Sequence, residues 1–366
     1  MTQLQYTDKL EYVGVYVLSC AAFFAPLFAS AHEVYVLTSN DIAVDTAAPA
    51  FDMAAVAQND LYQFFFWVFV GALIFFAVFF TSISQRLERR LNPLLLRLKS
   101  YAAPVARITV GLSFIAAAYY QATYGPELPL AAGFGAWAPF MTALLIAMGL
   151  SITLGIFTRI AAAVALGLFV LSVWKHGLYM LTYTNYLGEL LILLILGAHH
   201  RVGPDMLFGT ARSGVSGIRR FFRGLASRFA PYSFMLLRIT FGISLLYASL
   251  YAKILHNNLA LQVASLPLAG HTYPLAYYLG FEPHFLVLGA AIIEIVLAAF
   301  FILGIEIRFT SIFLLFWLSL SLWYFGETVW PHIILIGIPI ALICAGYDRY
   351  SLEGRFFKKK HLEPVL

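Results

Sequence analysis

The stretch Arg107-Ile108-Thr109-Val110-Gly111 (RITVG) recurs as Arg238-Ile239-Thr240-Phe241-Gly242 (RITFG), and each copy opens a long apolar segment. A second pair of motifs follows in the same order, LGIFTR at Leu154 to Arg159 and LGIEIR at Leu303 to Arg308. Landmarks that recur in the same order indicate an internal repeat whose copies are similar structural units.

The composition indicates a membrane protein. Hydrophobic residues make up 61% of the chain and charged residues 11%, whereas soluble domains carry about 25% charged residues. Apolar runs such as Leu61 to Ser84, Pro139 to Phe157 and Phe285 to Gly304 are close to the roughly 20 residues that a membrane-spanning helix needs. They lack the alternating pattern of barrel strands. We therefore expect an all-α integral membrane protein.

The apolar runs predict about ten transmembrane helices: two in an N-terminal helical hairpin and four in each of two repeats. An even number of helices per repeat gives both repeats the same orientation, which is the pattern of a parallel repeat. The predicted spans are Tyr12–Ser30, Leu61–Ser84, Pro104–Tyr124, Pro139–Phe157, Ile160–Tyr179, Asn185–His199, Ser233–Ala252, Phe285–Gly304, Phe309–Phe325 and His332–Gly346. The predicted divisions are the hairpin with an acidic outer loop (1–100), the first repeat (101–210), a basic cytoplasmic linker (211–230), and the second repeat with a basic tail (231–366).

Basic residues predict the orientation. They cluster after the second span, in the linker and at the end of the chain, and all three places lie on one side in this topology. The positive-inside rule makes that side cytoplasmic, with both termini in the cytoplasm. The net charge of +5 is therefore a topology signal; we expect the lipid bilayer as a partner and no nucleic acid.

The first span has a rival interpretation as a signal peptide, because it ends in Ala29-Ser30-Ala31, a pattern at which a peptidase could cut. Cleavage would leave His32 as an N-terminal residue that could chelate copper. The apolar run is longer than the roughly 7 to 15 residues of a signal sequence, which favours a retained helix.

Two polar residues of the second repeat stand out. Glu294 lies ten residues past His284 and so about 15 Å deep, near the membrane midplane. Lys253 lies about 22 Å along the helix from Arg238, near the outer surface, and only its flexible stem could bring it to Glu294. The two residues could mark a polar pocket, or they could be helix-packing groups that satisfy each other, and the sequence leaves both possibilities open.

These residues resemble a DoxX-type domain, the four-helix membrane module also found in the DoxD subunit of thiosulfate:quinone oxidoreductase. The similarity rests on Arg238 with Gly242, on Lys253 at the end of the first helix, on Glu294 within the second, and on the LGIEIR turn. It implies a subunit of a quinone-linked oxidoreductase assembly in a bacterial-type cytoplasmic membrane, with a redox partner protein carrying flavin, haem or metal. The first repeat departs from this pattern, since Ala122 stands opposite Lys253 and Leu145 opposite Glu294, which suggests a degenerate, supporting copy.

The ligand-binding residues expected on this basis are Glu294, Lys253, Glu327, His332 and Arg238. Glu327 and His332 are expected at the outer aqueous boundary, where the chain bends into the last helix, as part of an aromatic belt or as the rim of a pocket. For Arg238, as for Arg107, the favoured interpretation is an interface anchor whose side chain reaches the head groups; ligand binding and a pair with Glu306 are alternatives.

The first repeat has a smaller polar group of its own, formed by Asn185, Tyr186 and Glu189. Lys175 is the expected partner of Glu189. The semi-apolar stretch between Lys253 and Phe285 predicts a helix at the membrane surface that could roof a pocket.

The sequence lacks the motifs of several common metal and cofactor sites. Six of the nine histidines fall near the outer face, but none has metal-ligand spacing, so no metal site is predicted. The two cysteines and the histidine positions give no iron–sulfur or haem site, and no nucleotide-binding motif is present. Quinone is the cofactor that the resemblance suggests. A small-molecule transporter and a membrane scaffold without turnover stay open as alternatives, the first because midplane polar groups and parallel repeats are common in transporters.

Overall fold

The structure is a computed structural model that describes residues 39–58, 60–197, 224–267, 271–325, 330–348 and 350–357. These residues form helices and connecting turns, with a single isolated β-bridge between Ala122 and Pro129. The α-helices are α1 (Ser39–Ala47), α2 (Met53–Gln58), α3 (Asp60–Leu98), α4 (Ala102–Tyr119), α5 (Leu130–Phe134), α6 (Ala138–Leu154), α7 (Thr158–His176), α8 (Thr184–Leu196), α9 (Ser233–Leu250), α10 (Asn257–Ser265), α11 (Leu275–Leu279), α12 (Pro283–Leu303), α13 (Ile307–Phe325) and α14 (Pro331–Ala345).

The all-helical membrane class is confirmed. Within the described ranges, six helical segments are long and apolar enough to cross a membrane. They are Pro93–Tyr119, Leu130–Leu154, Thr158–Leu196, Gly224–Leu255, Pro283–Leu303 and Ile307–Tyr324. The count of ten spans stays a prediction: the first span and its possible cleavage site lie outside the described residues, α7 and α8 join through a 3₁₀ segment, and α14 has only 15 residues.

The two LG motifs form the same turn. Gly155 and Gly304 end α6 and α12 in the left-handed conformation, with φ of 76° and 72°. Glycine is favoured there because it has no Cβ to clash. After each turn an arginine, Arg159 or Arg308, reaches the free carbonyls at the end of a later helix: Arg159 donates to the Ile195 carbonyl of α8 at 3.0 Å, and Arg308 donates to a carbonyl at the end of α14 at 2.9 Å. Each arginine thus caps the end of the helix that follows its own, α8 for Arg159 and α14 for Arg308.

The two RIT motifs explain how the halves of the chain meet. The glycines let helices approach closely, because a Cβ on Gly111 would press on the α6 backbone and one on Gly242 on the α12 backbone. The threonines of the same two motifs contact different helices from those that the glycines contact. Thr109 of α4 packs on Gly337 of α14, and Thr240 of α9 packs on the glycine of α8, Gly188. Small residues of this kind are typical of helix contacts in membranes.

The N-terminal segment packs on the second half of the chain. Asn257, which is fully buried at the start of α10, accepts a hydrogen bond from the Phe51 amide at 2.9 Å and donates one to the Phe51 carbonyl at 2.8 Å. The Phe51 ring makes an edge contact with His284 at 4.8 Å. The segment carrying α1 and α2 is thereby fixed to α10 and α12.

Candidate functional site: a cavity with a buried ion pair

A cavity of about 200 Å³ lies inside the second half of the chain. Its walls come mainly from α9, α12, α13 and α14, with a contribution from the 3₁₀ segment Gly177–Tyr183 and the start of α8. Helices α10 and α11 also contribute to the lining, which is consistent with the expectation that this segment could roof a pocket. The lining is mostly apolar, as in sites for small organic ligands.

An ion pair lies in the wall of this cavity. Lys253 Nζ is 3.1 Å from Glu294 Oε2, and the two side chains are 8% and 14% exposed. Trp317 Nε1 is 3.5 Å from the other carboxylate oxygen, Oε1, at the limit of hydrogen-bonding distance. Two opposite charges held at this distance away from water are a costly arrangement that persists only when the groups satisfy each other.

A local change of helix type brings Lys253 inward. Helix α9 ends at Leu250 and continues as a π-helical turn, Tyr251–Leu255. A π-turn accommodates an extra residue, so the side chains beyond it are rotated relative to a regular α-helix, and such turns are frequent at functional sites. Lys253 lies in this turn, and its side chain is 7% exposed.

Further polar groups border the cavity. His332, in the first turn of α14, is buried at 4% exposure and lines the cavity. The sequence had placed it at the outer boundary, as part of an aromatic belt or as a pocket rim, and its place in the lining favours the second. Asn185 from α8 and Ser244 from α9 also contribute, and the Ser244 hydroxyl donates to the Thr182 carbonyl. The cavity therefore offers several hydrogen-bonding groups around a small apolar volume.

Three of the predicted ligand-binding residues, Glu294, Lys253 and His332, are brought together by the fold. Glu327 lies outside the described residues. Arg238 does not line the cavity. Its Nε is 3.2 Å from Asp348 Oδ2, and its Nη1 donates to the Ile302 carbonyl at 2.6 Å.

The interface-anchor interpretation of the two arginines is wrong. Arg238 is 1% exposed and Arg107 is 3% exposed, so neither side chain extends to the membrane surface. Arg238 binds the carbonyls at the end of α12 and pairs with Asp348, which follows α14, instead of Glu306. The residue ties the end of one helix to the chain that follows another.

The expected pair of Lys175 with Glu189 is also wrong. Glu189 is fully buried and accepts a hydrogen bond from the Thr109 hydroxyl at 3.2 Å. Lys175 Nζ instead donates to the Ala132 and Gly133 carbonyls at 3.2 and 2.7 Å. Glu189 therefore belongs to the contact between α4 and α8.

The first half of the chain contains an aromatic cluster within its own helix bundle. Tyr124 packs edge-on against Tyr186 and Phe169, at centroid distances of 4.9 and 5.6 Å, and Phe114 contacts both tyrosines. The Tyr186 hydroxyl is 2.6 Å from Ser113 Oγ. Burial raises the pKa of Tyr124, which lies in the loop after α4, so its hydroxyl stays neutral.

Sequence reasoning did not identify Trp317, which lies beside Glu294, or the tyrosines that line the cavity. Tyr179 and Tyr183 line the cavity, and their hydroxyls both donate to Glu127, with a distance of 3.1 Å for Tyr179. These tyrosines lie in the first half of the chain, as does Asn185, which was assigned to a separate polar group. The closely spaced polar residues between 179 and 185 were the available signal.

Comparisons of the chain with protein-family models, curated proteins and solved structures give no match. The described residues contain no group of three or more His, Cys, Asp or Glu side chains that could hold a metal ion. The fold and site thus define a helical membrane protein with an ion pair in a small apolar cavity, and the similarity to DoxX-type domains stays a prediction.

Proposed function

We propose that the cavity binds the head group of a quinone or quinol, or a similar small ring, and that the protein is a membrane subunit of an oxidoreductase assembly. The observation that carries this proposal is the Lys253–Glu294 pair, 3.1 Å apart in the wall of an otherwise mainly apolar cavity. A redox partner protein is part of the proposal and follows from the resemblance.

The polar groups fit such a ring chemically. A quinone presents two carbonyl oxygens, which accept hydrogen bonds, and the donors in reach of the cavity include Lys253 Nζ and Trp317 Nε1. A quinol presents hydroxyl groups, which can donate hydrogen bonds to the Glu294 carboxylate. Because the two forms differ by two protons as well as two electrons, a site with an ammonium and a carboxylate can hold both.

The size of the cavity also favours a small ring. At about 200 Å³ it is smaller than the roughly 300 to 1,000 Å³ of sites for drug-sized ligands. It can hold one substituted ring, and a long apolar tail would have to lie outside it.

We further infer that the chain consists of two related four-helix units, and that the cavity belongs mainly to the second. The paired contacts of the RIT motifs and the shared LG turns support this relation. Aligned on these motifs, the cavity residues Leu245, Leu318 and Leu335 occupy the positions of the aromatic residues Phe114, Phe169 and Tyr186. Large rings thus fill the first unit where smaller leucines border the cavity of the second.

Filling the cavity tests the proposal. Leu335→Tyr places the tyrosine of the first unit in the second, and should abolish binding of decylubiquinone to the purified, reconstituted protein without loss of fold. Ile340→Tyr is the matched control, because Ile340 lies on the same helix, is 37% exposed and does not line the cavity.

Binding that is weakened by Leu335→Tyr and by Glu294→Gln, but not by Ile340→Tyr, supports the quinone site. Binding that none of the variants changes contradicts it. Quinone-independent uptake of a solute into vesicles that is lost in Glu294→Gln would instead favour the transporter alternative.

A further inference from the structure

Helix α13 has an apolar stripe on its outer face. Ile312, Phe316, Leu320 and Trp323 follow one another at helical spacing and are 54%, 61%, 41% and 69% exposed. Large apolar residues on one face of a membrane-spanning helix are expected to contact lipid. We call these four residues the lipid-facing stripe.

The cavity extends to this stripe. Leu320 is a member of the stripe and also lines the cavity, as do its neighbours on the inner side of α13, Trp317 and Ser321. Leu320 is 41% exposed and also borders the cavity, so at this position one side chain lies between the cavity and the outside of the protein. Leu320 is thus in contact with the cavity on one side and belongs to the lipid-facing stripe on the other.

Helix α10 closes another side of the cavity. Ala260 and Ala264 of α10 line the cavity and are 6% and 5% exposed. Asn257 fixes α10 to the Phe51 backbone with two hydrogen bonds. Opening this cover would break both bonds and separate α10 from the N-terminal segment.

We propose that the cavity is loaded sideways from the bilayer, past Leu320 of α13. The substrate class is then a molecule dissolved in the lipid, with a polar ring that enters the cavity and an apolar tail that stays along the lipid-facing stripe. The identity of the ring rests on the proposed function, whereas the route is a property of the cavity and can be tested without a quinone.

Thiol accessibility tests the route. Ser244→Cys places a thiol at a cavity position that is 3% exposed, so that a reagent must enter the cavity to reach it. The full chain is reconstituted in vesicles and treated with benzyl methanethiosulfonate, which partitions into the bilayer, or with 2-sulfonatoethyl methanethiosulfonate, which is charged. The rates are normalised to a free thiol, and labelling of the parent chain, with its two cysteines, is subtracted.

Lateral access predicts that the neutral reagent reacts faster by about tenfold or more, since carrying a charge through an apolar region is costly. Adding Leu320→Trp should slow the neutral reagent several-fold, whereas Ile312→Trp, on the same stripe but away from the cavity, should leave its rate unchanged. Equal rates for the two reagents, no effect of Leu320→Trp, or no labelling by either reagent would overturn the proposal. A failure to bind decylubiquinone would overturn the quinone assignment but leave this result standing.

Discussion

Removing one partner of the Lys253–Glu294 pair should destabilise the protein strongly, while replacing both should not. At 3.1 Å the attraction is on the order of 5 kcal/mol for an effective dielectric constant of about 20. Withdrawing the two charges from water costs several kcal/mol per ion, so the pair as a whole contributes little net stability. An isolated charge would keep its desolvation cost and lose the compensating attraction.

Glu294→Gln should therefore lower the free energy of unfolding by about 3–5 kcal/mol. The double variant Lys253→Met with Glu294→Leu should be neutral or more stable than the parent, because apolar side chains of similar volume replace both charges. The assay is thermal unfolding in mild detergent, where a loss of this size should lower the melting temperature by roughly 5–10 °C.

The matched control is Glu282→Gln, which removes the carboxylate of a pair that is about 40% exposed, Glu282 with His284. Exposed pairs contribute about 0–1 kcal/mol, so this variant should unfold close to the parent. If Glu294→Gln unfolds no earlier than Glu282→Gln, the buried lysine does not depend on Glu294 and the reasoning is refuted.

Two further predictions concern packing. Gly337→Ala should destabilise the protein by about 1–3 kcal/mol, because the new methyl group would collide with the Thr109 side chain; Gly289→Ala, which has nothing within 4 Å, should be neutral or stabilising in the same melting assay. Asn257→Leu should cost about 1–3 kcal/mol and speed hydrogen exchange in α1, α2 and α10, since both bonds to the N-terminal segment are lost. Asn258→Leu, at a partly exposed position with one bond, should have little effect, and equal exchange in the two variants would contradict the role of Asn257 in fixing the N-terminal segment.

Local patterns predicted much of the helical architecture and part of the site. Apolar runs gave the class of protein, and depth along a helix singled out Glu294 as an intramembrane acid. The same rule placed Lys253 near the outer end of its helix, with only its flexible stem to bring it to Glu294, and the pair at 3.1 Å is consistent with that expectation. The π-turn Tyr251–Leu255, in which Lys253 lies, was not predicted from the sequence. Lys253 reaches Glu294 through that turn as well as through its flexible stem.

Long-range partners were the part that sequence could not supply. Arg238 pairs with Asp348, 110 positions away, and Glu189 binds Thr109, 80 positions away. Both contacts depend on which helices become neighbours. Glu306 was a candidate because it was expected on the same side of the membrane as Arg238, and Lys175 because it is close to Glu189 in the sequence. The arginines were interpreted as lipid anchors because their positions lie near helix ends, where a long side chain can reach head groups.

The measurement that tests the central claim most directly is the quinone content of the purified protein. The protein would be isolated in mild detergent, extracted and analysed by mass spectrometry beside Leu335→Tyr prepared in the same way. We predict about one quinone per chain in the parent and a large loss in Leu335→Tyr, with both proteins folded. No quinone in the parent, or equal amounts in the two proteins, would contradict binding in the cavity.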